Sequence, residues 1–188
     1  MYCYIKNPSF EEDISSHSLT PKEWKNCGDN FESSIDIHTS NGWFQVRHSP
    51  VEGGQFAGMV VRDNQTREAI GQILDATLYG GTTYAFSFYV ARAQDYISLS
   101  KTTLKEENFN KPALLKVKIG DDCTDMEIVG QTNLIESTEW ERYMIIFTPS
   151  VNSDFLVLEA FYEDDFAIYN GNILLDNISP IVELPSKK

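Results

Sequence analysis

The sequence predicts an all-β fold, a sandwich of antiparallel sheets, and three observations carry that expectation. About ten short segments rich in Val, Ile, Tyr and Phe alternate with turns built from Gly, Pro, Asn and Asp. The strongest segment, Thr82 to Arg92, repeats every two residues, with Tyr84, Phe86, Phe88 and Val90 on one face and Ala85, Ser87, Tyr89 and Ala91 on the other. Helical periodicity is nearly absent; at most one turn is expected, over Glu106 to Asn110.

Taken in order, residues 1 to 6 alternate loosely and read as a first strand containing Cys3. Residues 12 to 42 are rich in Ser, Asn, Asp and Gly and read as a long irregular loop, anchored on the core by Trp24 and Trp43. Strand signals then follow one another: Trp43 to His48, Gln55 to Arg62, Ala69 to Leu74 and Thr82 to Arg92. Ala113 to Ile119 alternates so that Lys116 and Lys118 turn outward, and Glu127 to Gln131 is shorter. Trp140 to Thr148 and Phe155 to Tyr162 are long and aromatic, and Ile173 to Val182 closes the chain. No repeat or long linker divides it, so residues 1–188 are expected to form one domain.

Composition narrows the function classes. A hydrophobic fraction of 41% with 12% aromatics suits a folded core. Fifteen Lys and Arg face 28 Asp and Glu, a formal charge of -13, which repels nucleic acid and anionic lipid but is compatible with sugars and calcium. No apolar run is long enough for a membrane helix, so no membrane insertion is expected. The first residues are not a signal peptide; the protein is either cytoplasmic or its leader lies outside this sequence. Cys27 and Cys123 sit in loop-like surroundings where a disulfide could form, leaving Cys3 over. No CxxC pair supports zinc.

Two acids stand out near the ends. Glu11 follows Asn7-Pro8-Ser9-Phe10, and Asp176 interrupts the apolar run Ile173-Leu174-Leu175. A carboxylate in an apolar strand is costly unless paired or bound to a cation. Glu11 and Asp176 are thus candidates to meet around one hard cation, the alternative being two solvated strand ends.

The order of Asn7-Pro8-Ser9-Phe10-Glu11, Trp24, Glu52-Gly53-Gly54-Gln55-Phe56-Ala57-Gly58, Gly81-Thr82-Thr83-Tyr84-Ala85-Phe86-Ser87-Phe88, Trp140 and Ile173-Leu174-Leu175-Asp176-Asn177-Ile178 resembles the galactose-binding-like jelly rolls. The chain is similar to carbohydrate-binding modules of families four, nine and twenty-two, and to β-sandwich domains of bacterial outer-membrane and cell-surface proteins. The resemblance implies a jelly-roll sandwich and a structural calcium ion with oxygen ligands from Glu11, Glu52 and Asp176, plus carbonyls of Ser9 and Gln55. It also implies a polysaccharide or glycan partner, a secreted, periplasmic or cell-surface location, and further domains of a larger surface protein.

For the ligand surface, Tyr89 lies on the face opposite the aromatic core face of its strand. Arg62 and Arg92 end strands, and Glu159 sits within Leu156-Val157-Leu158-Glu159-Ala160, where an acid needs a partner that Arg62 or Arg92 could supply. Two outcomes stay open. One is a structural ion pair within the sheet. The other is a polar strip of Arg62, Arg92 and Glu159 flanked by Tyr89, Tyr96 and Tyr162 on a concave sheet.

Catalysis is not expected. His17, His38 and His48 fit no nucleophile–base pattern, and neither a Gly-x-Ser-x-Gly elbow nor a phosphate-binding glycine loop occurs. A carbohydrate-binding or surface-adhesion module is therefore the expected function. The alternatives are a structural or protein-interaction domain without a sugar site, and a glycan-active enzyme carrying its own acids.

Overall fold

The computed structural model describes residues 1–29, 32 and 34–185; residues 30, 31 and 33 of the long loop and 186–188 of the expected domain lie outside the described residues. In chain order the strands are β1 (Tyr2–Cys3), β2 (Lys25–Asn26), β3 (Asp36–His38), β4 (Phe56–Val61), β5 (Ala69–Leu78), β6 (Tyr84–Ala91), β7 (Ile97–Leu99) and β8 (Glu106–Asn108). They continue with β9 (Lys111–Pro112), β10 (Leu114–Gly120), β11 (Met126–Gln131), β12 (Glu141–Phe147), β13 (Ser153–Phe161), β14 (Gly171–Asp176) and β15 (Ile181–Glu183).

The eight-stranded sheet runs β1-β15-β6-β14-β4-β3, with β12 along the other side of β6 and β9 beside β14; the five-stranded sheet runs β11-β10-β13-β5-β2. Pairing within these two sheets is antiparallel apart from β9 with β14. This is the expected all-β sandwich. Tyr84, Phe86, Phe88 and Val90 do share the inner face of β6 and meet Leu115, Val117, Ile119, Leu156 and Leu158 from the opposing sheet. The two-residue period forces that assignment, because a one-residue slip would turn all four away from the opposing sheet. Phe10 and Trp24 stack at 5.7 Å and join the same core.

A second apolar layer lies on the other face of the large sheet. Val46, Phe56, Val60, Ala91, Ala93, Tyr96, Phe109 and Leu174 pack together there, with Phe44 and Trp140 against them. Antiparallel sheets commonly leave one face wet. Here that face is largely roofed by the segment after β3 and by the loops after β6 and β8.

Four local expectations are corrected. Trp43 to His48 is not a strand: Trp43–Gln45 is a single 3-10 turn, and Phe44 and Gln45 have φ of 57° and 66°, which breaks any extended pairing. Trp43 is 43% exposed and does not anchor the core, unlike Trp24. Glu106 to Asn110 forms no helical turn, since Glu106–Asn108 pairs with Ile97–Leu99 as a small ribbon. The closing segment also splits into β14 and β15 around Asn177, whose φ is 49°.

The loop cysteines are joined: Cys27 and Cys123 form a disulfide, packed with Ala69, Phe155, Val157 and Met126 on the outer face of the small sheet. Cys3 is buried and free, and burial pushes its thiol up to about 11.

Candidate functional site

The acids from the two chain ends do converge, and the segment Val51 to Gln55 is what they converge on. Glu11 accepts the backbone N–H groups of Gly54 and Gln55 on Oε1, at 2.8 and 3.0 Å. The Ser9 hydroxyl donates to Glu52 Oε2 at 2.7 Å. Asp176, at 0% exposure, accepts from Val51 and Glu52 N–H at 2.7 and 3.1 Å on Oδ2. The Gln55 side-chain oxygen accepts from Glu12 N–H at 2.7 Å. Burial raises the Asp176 carboxyl to about 6 against its backbone hydrogen bonds, and the nearby Glu11 charge adds to the rise.

The donor chemistry suits a hard cation: the polar atoms offered by Ser9, Glu11, Glu52 and Asp176 are oxygens, and Asp176 has no cationic partner among the described residues. The same acids are already met by N–H and O–H donors. Among the described residues no three Asp, Glu, His or Cys side chains are grouped as metal ligands. The loop thus closes through its own hydrogen bonds.

The five residues expected to bind ligand are scattered. Glu159 lies on β13 of the small sheet, and Tyr89 on β6 of the large one. Glu159 pairs with Lys118 at 2.5 Å and Arg67 at 3.9 Å, not with Arg62 or Arg92. Cross-strand register explains the choice, because Lys118 and Lys116 project from β10, the direct neighbour of β13. Arg62 is buried against Glu68 and Glu32. Tyr162 donates its hydroxyl to the Arg62 carbonyl at 2.5 Å, and Tyr96 is buried in the second layer. The single polar strip is therefore corrected: Arg62, Tyr96 and Tyr162 hold the fold around one buried polar group and Glu159 pairs on the small sheet, leaving half-buried Tyr89 and Arg92 as candidates.

Beneath the second layer lies a buried polar group that sequence reasoning missed. Asp36 accepts a short hydrogen bond from the Tyr96 hydroxyl, and Arg62 pairs closely with Glu68. Burial raises the carboxyls of Asp36 and Glu68 and the phenol of Tyr96, while Glu68 and Glu32 keep Arg62 charged despite its burial. His38 stacks on Phe56 at 5.4 Å, is fully buried, and among the described residues neither ring nitrogen has a hydrogen-bond partner. Burial lowers it to about 3, so it is a neutral filler. The gap it fills is bounded by Gly42 and Gly58, where an added Cβ would stand 2.4 Å from Nδ1 and Nε2 respectively.

A cleft of about 440 Å³ opens beside this layer, lined by Arg47, His48, Ser49, Pro50, Arg92, Gln94, Thr138, Glu139 and Trp140. Its wall is preorganised. Trp140 donates its indole N–H to the Ser49 carbonyl at 2.7 Å and meets the His48 ring edge-on at 4.8 Å. Arg92 is held by the carbonyls of Asn110 at 2.7 Å and Glu136 at 3.3 Å. Ser49 and Pro50 lead directly into the Val51–Gln55 loop, so one segment builds both the cleft and the acid-lined junction. A second depression of about 400 Å³, at Gly120, Asp121, Asp125, Glu127 and Ser150, has acidic walls and no aromatic side chain. The first is the better candidate because it combines an aromatic wall with fixed polar groups. Reading Trp43 to His48 as a strand hid it. The sequence signal was the cluster Arg47-His48-Ser49-Pro50, too polar to continue a core strand.

Neither a protein-family model nor a curated protein sequence matches the chain. Solved structures do share its fold. A cyclase from Fischerella sp. TAU superposes with a TM-score of 0.63 at 13% identity, over 100% of this chain and 99% of that one. The CBM22-1 xylan-binding domain of Paenibacillus barcinonensis Xyn10C gives 0.51 at 14% identity, over 95% and 93%. An adhesin domain of Lys-gingipain from Porphyromonas gingivalis gives 0.55 at 11% identity, over 92% and 98%. The carbohydrate-binding-module-like sandwich is thus the fold of this chain. The expectation that catalysis is absent is corrected by the cyclases, which include one in complex with (3Z)-3-(1-methyl-2-pyrrolidinylidene)-3H-indole. They carry this fold over their whole length, and the motifs whose absence excluded catalysis belong to hydrolases and nucleotide enzymes.

Proposed function

We propose that this chain is a carbohydrate-binding domain whose ligand lies in the cleft walled by Trp140. The observation that carries the reading is the combination, at one depression, of a half-buried Trp with His48, Gln94, Arg47 and Arg92. Sugar rings offer apolar C–H faces to an aromatic wall and hydroxyls to planar polar side chains. Similarity to the xylan-binding domain supports the polysaccharide class. Because the wall is already hydrogen-bonded, binding orders few side chains, which reduces its entropic cost. A few contacts on an open cleft should give dissociation constants on the order of micromolar to millimolar. A glycan array followed by calorimetry with the retained glycan tests this. Trp140→Ala and Gln94→Ala should each weaken binding, whereas Asp121→Ala should not. An array without any retained glycan, or binding undisturbed by both cleft variants, overturns the assignment.

A structural calcium ion at Ser9, Glu11, Glu52, Gln55 and Asp176 belongs to the same reading, as does a role at the cell surface or in secretion. The ion would neutralise the converging carboxylates and pin both chain ends to the loop that walls the cleft. Melting curves with calcium and with excess chelator decide the point: a midpoint raised by calcium, and insensitive to it in Asp176→Ala, is expected. Identical curves in verified metal-free protein would refute the ion.

The stronger structural similarity to the cyclases favours a second reading, in which the cleft takes a small heterocyclic molecule and transforms it. Turnover of such a compound, abolished by Trp140→Ala on an array-negative protein, would establish it.

A further inference from the structure

Resting on the carbohydrate reading, we propose that the ligand is an acidic glycan and that Arg47 and Arg92 receive the carboxylate of a uronic acid residue. The chain carries 28 acids and 15 Lys and Arg, and among the described residues seven of those cations make an ion pair with a carboxylate. Arg62 is paired with Glu68 and Glu32, and Arg67 with Asp29 and Glu159. Arg47 and Arg92 differ. Among the described residues neither makes an ion pair, and both stand on the same cleft.

Their hydrogen bonds run only to carbonyl oxygens. Arg47 uses Nη1 on Val46 and Gly42, and Arg92 uses Nη1 and Nε on Asn110, Ala93 and Glu136. Such bonds hold Arg92 at two nitrogens and Arg47 at one, without neutralising either. Nη2 of each meets no acceptor among the described residues. The cleft lining holds a single acid, Glu139, against the two arginines, so it is locally positive on a chain of formal charge -13. A neutral sugar needs no such arrangement. A sugar carboxylate does: it is planar, and guanidinium forks match it with paired, charge-assisted hydrogen bonds. The surrounding negative field repels polyanions at distance, so recognition depends on this one locally positive depression.

Affinity is measured by calorimetry on the full chain, using glucuronoxylan and polygalacturonate, each beside its carboxyl-reduced form. The acidic form should bind about tenfold or more tightly than the reduced form. That preference should shrink as salt rises from about 0.05 M to about 0.5 M. Arg47→Gln and Arg92→Gln should each lower the affinity for the acidic form towards that of the reduced form. Lys105→Gln, at an exposed cation elsewhere, should leave the preference intact. Because the salt series needs no variant, a poorly folded Arg92→Gln does not blunt the test. Equal binding of acidic and reduced forms, or a preference that survives both arginine substitutions, overturns this inference and leaves the carbohydrate reading standing. Absence of binding to every form overturns both.

Discussion

Trp140 and Ser49, 91 residues apart, are joined by a hydrogen bond of 2.7 Å from the indole N–H to the backbone carbonyl. That bond fastens the segment after β3 to the residue that introduces β12, and the cleft lies between them. Trp140→Phe keeps an aromatic ring against His48 and Phe56 but removes the donor. Stability should fall by about 1 kcal/mol, or a melting shift of roughly 2–4 °C for a chain of this size. Amide exchange at His48 to Val51 should accelerate with it. Unchanged exchange there would mean that packing alone holds the wall.

His38 makes the fold sensitive to acid. Its folded value of about 3 lies below the ordinary 6.5. The unfolded chain therefore takes up a proton first as pH falls, and stability is lost progressively from about 6.5 towards about 3. Asp36 and Glu68, raised by burial, act in the opposite sense, since their folded forms keep protons longer as pH rises. Comparing urea midpoints of the wild type and His38→Leu across this range isolates the histidine; the wild type should lose about 3–5 kcal/mol relative to the variant.

Gly58→Ala should be among the most damaging small substitutions. The added methyl would sit 2.4 Å from His38 Nε2 and 3.1 Å from the Tyr96 hydroxyl, both on fully buried rings. Overpacking of this kind costs about 1–3 kcal/mol. Combination with His38→Ala, read in the same urea melts, should recover part of that loss.

Glu68→Ala and Glu159→Gln separate a buried ion pair from a sheet-surface one. Removing Glu68 takes a close carboxylate partner from buried Arg62, whose contact with Glu32 is 4.0 Å, at a cost of about 3–5 kcal/mol. Glu159→Gln keeps the shape beside Lys118 and Arg67, whose side chains remain partly exposed, and should cost about 1 kcal/mol. Chemical denaturation of both, in low and high salt, should show salt sensitivity only for the Glu159 pair.

Replacing both Cys27 and Cys123 by Ser should lower stability by roughly 4–5 kcal/mol in the loop-entropy account, since the bridge closes a separation of 96 residues. Denaturant midpoints of the double variant and of reduced wild type should agree.

Most of the sandwich was legible because period-two alternation records which face is buried. Tyr84, Phe86, Phe88 and Val90 could only point one way, and Lys116 and Lys118 only the other. The meeting of Glu11 and Asp176 was legible because a carboxylate in an apolar run demands a partner, whereas Glu52 entered only through the family resemblance. What stayed hidden depended on tertiary context. The positive φ at Phe44 and Gln45 turns an apparently good strand into a roof over the large sheet. Glu159 found Lys118 through strand order, which no local pattern states. His38 gave no signal of burial at all, since its slot exists only where Gly42 and Gly58 approach from different segments.

The pairing of β1 with β15 has a mechanical consequence. Tyr2 lies opposite Val182 and Cys3 opposite Ile181, so the two outer ends of this antiparallel pair face the same way. A pull applied to them loads the pair as a zipper, breaking rungs one after another at low force, where a shear geometry would break them together. The Cys27–Cys123 bridge then limits how far the chain can pay out. The 96-residue separation it closes is withheld from extension, a length on the order of 300 Å. A domain under tension would yield early at its margin and stop short, with β4, β5, β6 and β10 still inside the locked loop.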